Sequence, residues 1–179
     1  AIDAGQDVTV NSLVSATDNG SEISLSAGRD LTVEGLIPTN ATEANTLAAE
    51  AKITAPSTIS LTAASDLAVA SSGVLEVTGG SDASDSRTIF VEAGAELTFA
   101  GPIGQALDDA DVAELPTAVT LAAAGDVDLS RAAISALDQI TVNAGSDGSG
   151  GIGGDIYTQL EVTSVGSDIE IAAGSSSGA

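Results

Sequence analysis

Cysteine is absent from the 179-residue chain, which excludes a disulfide framework and any thiolate metal site. That absence does not place the chain in the cytosol, because a repeat protein can draw its stability from stacking instead. Histidine is absent as well, removing the usual near-neutral base and the commonest metal ligand. Basic side chains number four (Arg29, Lys52, Arg87 and Arg131) against 26 acidic ones, for a net charge of −22 at pH 7. No basic stripe can form to neutralise phosphates, so nucleic acid is excluded as a partner, and an anionic membrane surface for the same reason. No run of about 18 apolar residues occurs, so no membrane insertion is expected. Aromatic residues are down to Phe90, Phe99 and Tyr157. A core without large rings must be filled by Ile, Leu, Val and Ala, which suits a narrow interior of thin, similar layers.

Hydrophobic residues nevertheless make up 43% of the chain, which is too apolar for disorder. They are organised by one recurring phrase: apolar-x-apolar-x-Ala-small-x-acidic-apolar-x-apolar. It reads ISLSAGRDLTV from Ile23, ISLTAASDLAV from Ile59, IFVEAGAELTF from Ile89 and VTLAAAGDVDL from Val119, with partial copies from Ile2, Ile140 and Ile169. The shared alanines are Ala4, Ala27, Ala63, Ala93, Ala123, Ala144 and Ala173, spaced 23, 36, 30, 30, 21 and 29 residues apart. Within a phrase the apolar residues alternate at period two, which is the signature of a strand. The small residues after the alanine bend the chain, and a second strand follows. A third short apolar cluster often comes next, as at Leu13–Val14, Leu36–Ile37, Val74–Leu75 and Ala133–Ile134.

Three short strands per 20–36 residues predict an all-β fold: a parallel β-helix, or β-solenoid, of about six to seven coils with loop excursions. Residues 1–179 are read as a single solenoid segment. The opening AIDAGQDVTV already carries the repeat, so the sequence reads as a piece of a longer array. Stacking strands require fixed corner-to-corner lengths, so the variable spacing must be absorbed by outward excursions. Two are expected at about 38–57 and 104–117, each with an Ala- and acid-rich stretch (Thr42–Lys52 and Gly104–Glu114) able to hold a short helix. A glycine-rich loop is expected at Ser146–Gly153.

The corners AGQDV, AGRDL and AAGDV, followed by apolar alternation, resemble the β-helical repeats of filamentous-haemagglutinin-like exoproteins. These are large bacterial surface adhesins exported by two-partner secretion. The resemblance covers nearly the whole chain apart from the two Ala-rich excursions, although the coil lengths here are less regular than in that family's shafts. It implies an extracellular or cell-surface location and a structural role.

The most regular polar feature is the corner acid: Asp7, Asp30, Asp66, Glu96, Asp126 and, after the glycine loop, Asp155. Stacked in register, these carboxylates form a ladder about 4.8 Å apart. The favoured role is local, each acid accepting a hydrogen bond from a corner N–H as in an Asx turn. The competing role is a row of calcium sites, which would need several converging oxygens per ion. Gly150–Thr158 also spells the nonapeptide of calcium-binding rolls, making Asp147 and Asp155 the calcium candidates, but a solitary copy cannot build the site between consecutive turns. No other cofactor is expected.

Catalysis is not expected either. Four scattered basic residues cannot assemble the cationic groove that acidic polysaccharides need, and no carboxylate pair stands out for glycan hydrolysis. The leading expectation is a structural spacer in an adhesin-like surface protein. Its partners would be flanking repeats of the same chain or copies of itself. Two alternatives stand beside it: a subunit of a self-assembling extracellular filament or surface layer, and a module that binds glycan or protein through the excursions.

Overall fold

The computed structural model describes residues 1–35, 50–78, 86–103 and 115–145, and the backbone of three further strands at 156–158, 162–164 and 168–173. The chain winds in coils of three strands each. The first coil holds β1 (Ile2–Ala4), β2 (Val8–Val10) and β3 (Val14–Ser15). The second holds β4 (Glu22–Ala27), β5 (Leu31–Val33) and β6 (Ala51–Ala55), and the third β7 (Thr58–Ala63), β8 (Leu67–Val69) and β9 (Gly73–Val77). The fourth comprises β10 (Thr88–Ala93), β11 (Leu97–Phe99) and β12 (Pro102–Ile103), and the fifth β13 (Ala118–Ala123), β14 (Val127–Leu129) and β15 (Ala133–Ala136). The sixth runs through β16 (Gln139–Ala144), β17 (Ile156–Thr158) and β18 (Val162–Ser164), and β19 (Asp168–Ala173) opens a seventh.

Each strand from β1 to β16 pairs in parallel with the strand three places on. This yields a seven-stranded sheet, β1-β4-β7-β10-β13-β16-β19, and two six-stranded sheets, β2-β5-β8-β11-β14-β17 and β3-β6-β9-β12-β15-β18. A constant step of three with parallel pairing throughout is a β-helix with three faces. The expected fold class and its six to seven coils are what the structure has.

Register makes the sequence phrase into columns. Ala4, Ala27, Ala63, Ala93, Ala123, Ala144 and Ala173 are successive Cα partners along the first sheet. Ile23, Ile59, Ile89, Val119, Ile140 and Ile169 form a second line in the same ladders. The second sheet aligns Val8, Leu31, Leu67, Leu97, Val127 and Ile156. The third aligns Val14, Ile53, Leu75, Ile103, Ile134 and Val162. Alternation decides which side chains go inside: in β4, Ile23, Leu25 and Ala27 are buried while Ser24 and Ser26 are half-exposed. The three inward faces meet in one aliphatic core, where Phe99 is the largest buried ring. A one-residue slip would turn the whole apolar set outward, so the alternation also fixes the register.

One expectation about loops is corrected. The segment expected to run out from 38 to 57, with a helix through Thr42–Lys52, includes β6, because Ala51, Ile53 and Ala55 are buried at period two while Lys52 and Thr54 face outward. The third strand of the second coil is therefore β6, and Leu36–Ile37, the cluster expected to form it, lies outside the described residues. Of the second excursion, expected at 104–117, only residues 115–117 are described, and Leu115 there is fully buried. Leu13, read as part of an apolar cluster, is 63% exposed: Val14 turns inward, and the alternation puts Leu13 outside.

Candidate functional site

The corner between the first and second sheets stacks the acids, and the backbone explains why they sit there. The carbonyl of each acid accepts from the coil before: Val8 N–H to Asp30 O (2.9 Å), Leu31 N–H to Asp66 O (3.0 Å), Leu67 N–H to Glu96 O (3.0 Å) and Leu97 N–H to Asp126 O (2.9 Å). The N–H groups of Asp30, Asp66 and Glu96 also point back, and each meets the carboxylate of the preceding acid. Asp30 N–H donates to Asp7 Oδ1 (3.4 Å), Asp66 N–H to Asp30 Oδ1 (3.3 Å) and Glu96 N–H to Asp66 Oδ1 (3.2 Å). Asp7, Asp30 and Asp66 are thus hydrogen-bond acceptors, but each serves the next coil and not its own turn. Hydrogen bonds to the charged form favour ionisation and offset some of the repulsion between stacked carboxylates.

One cation serves this ladder directly. The Arg29 guanidinium grips Asp7 with two nitrogens, its Nε lying 2.6 Å from Oδ1 and its Nη2 meeting Oδ2. The same Nε is 3.7 Å from Asp30 Oδ2. The hydrogen bond from Arg29 holds the Asp7 carboxyl below the usual aspartate value, and Asp7 raises Arg29 in return. Among the described residues no group of three acids converges in a way that could hold a metal ion. Asp7, Asp30, Asp66, Glu96 and Asp126 form a line, not a cage. The calcium candidates Asp147 and Asp155, and the sixth corner acid that Asp155 would supply, lie outside the described residues.

The other cations have separate tasks. Lys52 on β6 pairs with Glu76 on β9, a diagonal ion pair across the outer face of the third sheet. Arg87 is only 2% exposed and stands at the corner from third sheet to first. Its carbonyl accepts the N–H groups of Thr117 (2.7 Å) and Ala118 (3.2 Å), and its own N–H donates to Thr117 Oγ1 (3.3 Å).

Arg131 belongs to a surface notch that sequence reading did not find. Thr98, Phe99 and Ala100 of the fourth coil and Asp128, Ser130 and Arg131 of the fifth enclose an open depression of about 320 Å³. Its origin is a difference in corner length. Three residues separate Phe99 from Ile103, whereas five separate Val69 from Leu75 and four separate Leu129 from Ile134, although these positions lie at matching phases of the coil. The fourth coil cuts its corner short and leaves a recess beside the fifth. Backbone packs on backbone at this corner: a Cβ on Gly101 would sit 2.0 Å from Gly73 O. Within the notch the Asp128 carboxylate accepts the Ser130 N–H at 2.9 Å. That bond, followed by the Ser130 hydroxyl and the charge of Arg131, keeps Asp128 below the usual aspartate value. The signal for the notch was available in the sequence, but only by subtracting corner lengths between coils whose register was already known.

Among the described residues no helix is long and apolar enough to cross a membrane. Comparison with family models, with curated proteins and with solved structures returns no match.

Proposed function

We propose that this chain is a shaft segment, a spacer that holds other parts of a secreted or cell-surface protein at a set distance, with no catalysis of its own. The observation that carries this reading is the continuity of the columns: the alanine line passes through seven coils without a break. Each coil buries its apolar face against its neighbours, so length is gained by adding coils and not by building new cores. The resemblance of the corner phrase to exoprotein shafts supports the same reading, as does an acidic surface that resists self-association. The test is to remove one coil. Residues 88–117 span one full repeat, because Thr88 and Ala118 are register partners. A spacer predicts that the shortened chain folds cooperatively and that small-angle scattering finds it shorter by about 4.8 Å. Collapse of the fold, or an unchanged length, would refute the reading.

A further inference from the structure

The geometry points to the notch between the fourth and fifth coils as a binding site for one ring of a neutral glycan, held by Arg131, Asp128 and the Thr98 hydroxyl. At about 320 Å³ the recess is at the lower end of the range for small-molecule sites and takes a single hexose ring, not a folded polypeptide segment. Its chemistry is mixed in the way a polyol requires. Asp128 is a pure acceptor for sugar hydroxyls, and its position is fixed by the Ser130 N–H behind it. Arg131 is exposed at the rim and supplies several donors in a rigid fork. Thr98 is the register partner of Asp128, so its hydroxyl stands in the same outward row and can give or accept.

The charge of the ligand follows from the surroundings. A chain at −22 repels an anionic sugar, so a neutral ring meets less opposition than an acidic one. The corner next to the notch is tightly packed, since a Cβ on Gly101 would sit 2.0 Å from Gly73 O, and the Ser130 N–H holds Asp128 in place. Little ordering is then needed on binding. The site's lining residues are not among those expected to form the excursions, 38–57 and 104–117. It does not depend on the spacer reading, and its failure would leave the coil-deletion test untouched.

The experiment is a titration of the full 179-residue chain, labelled with nitrogen-15 and followed by amide NMR, with methyl β-galactoside, methyl α-glucoside and methyl α-mannoside in turn, and with sialic acid as the anionic comparison. The expected result is saturable movement of the Thr98, Ala100, Ser130 and Arg131 amides with at least one neutral glycoside, at millimolar Kd. Arg131→Ala should weaken that binding about tenfold or more, as expected for losing a hydrogen bond from a charged donor. Because Arg131 is exposed, the variant should keep the thermal midpoint of the parent chain. The inference is overturned if none of the three glycosides gives a saturable shift, if Arg131→Ala binds as tightly as the parent, or if sialic acid binds more tightly than the neutral rings.

Discussion

The corner acids illustrate how one side chain can complete a backbone pattern. Glu96 N–H finds Asp66 Oδ1 at 3.2 Å, a bond that needs an acceptor oxygen and not a charge. Asp66→Asn should therefore keep stability at or above that of the parent, since it retains the oxygen and removes one of the stacked charges. Asp66→Ala should lose about 0.5–1 kcal/mol, read by urea unfolding. At Asp7 charge does matter. Arg29 lowers its pKa in the folded chain, so the pair contributes stability that is fully present above the ordinary aspartate value and is lost as pH falls through the lowered one. Carboxyl NMR titration should find Asp7 below the ordinary value in the parent and back near it in Arg29→Met. A third residue-scale outcome concerns space. Gly101→Ala puts a methyl against a carbonyl that cannot retreat and should cost about 1–3 kcal/mol or more. Gly5→Ala meets nothing within 4 Å and should serve as the silent control.

Among the elements, β6 is the instructive case. Ile53 lies in the third-sheet column between Val14 and Leu75 and is fully buried. Ile53→Ala should cost about 2–5 kcal/mol in denaturant unfolding, whereas Leu13→Ala, at a 63% exposed position, should stay within about 0.5 kcal/mol. This strand was hidden in the sequence. AKITA follows an Ala- and Glu-rich stretch of helical composition, and five residues of alternation are too few to outweigh that context. The first-sheet strands were legible because, from β4 onward, six residues end each time on the same Ala, and the repetition removes the ambiguity that a single copy leaves. The acid at each corner was equally plain, but its partner was not. The N–H that it meets lies 23, 36 or 30 residues away, and which coil receives the bond is a matter of direction along the stack. The notch was less visible still. Thr98, Asp128, Ser130 and Arg131 form no motif, and only the difference between two corner lengths brings them to one recess.

For the molecule as a whole, the absences seen at the outset have a common cause. A core built from layers one strand thick has no wide interior for rings, and aliphatic columns fill it with single large exceptions such as Phe99. Disulfides are unnecessary where every inner strand is hydrogen-bonded on both sides. The stacked corner acids are tolerated in part because Asp7, Asp30 and Asp66 each accept a backbone hydrogen bond from the next coil. The dependence of each coil on its neighbours, and not on a distant centre, is what makes a spacer physically reasonable. It also predicts that unfolding begins at the end coils and moves inward, visible as faster amide exchange in β1–β3 than in β7–β9.

The most direct test of the stacked-coil architecture is NMR detection of scalar couplings across hydrogen bonds in the intact chain. The architecture predicts correlations from the Val8, Leu31, Leu67 and Leu97 amides to the carbonyl carbons of Asp30, Asp66, Glu96 and Asp126, each one coil ahead. Correlations joining these amides to carbonyls of their own coil, or to strands running the opposite way, would contradict it.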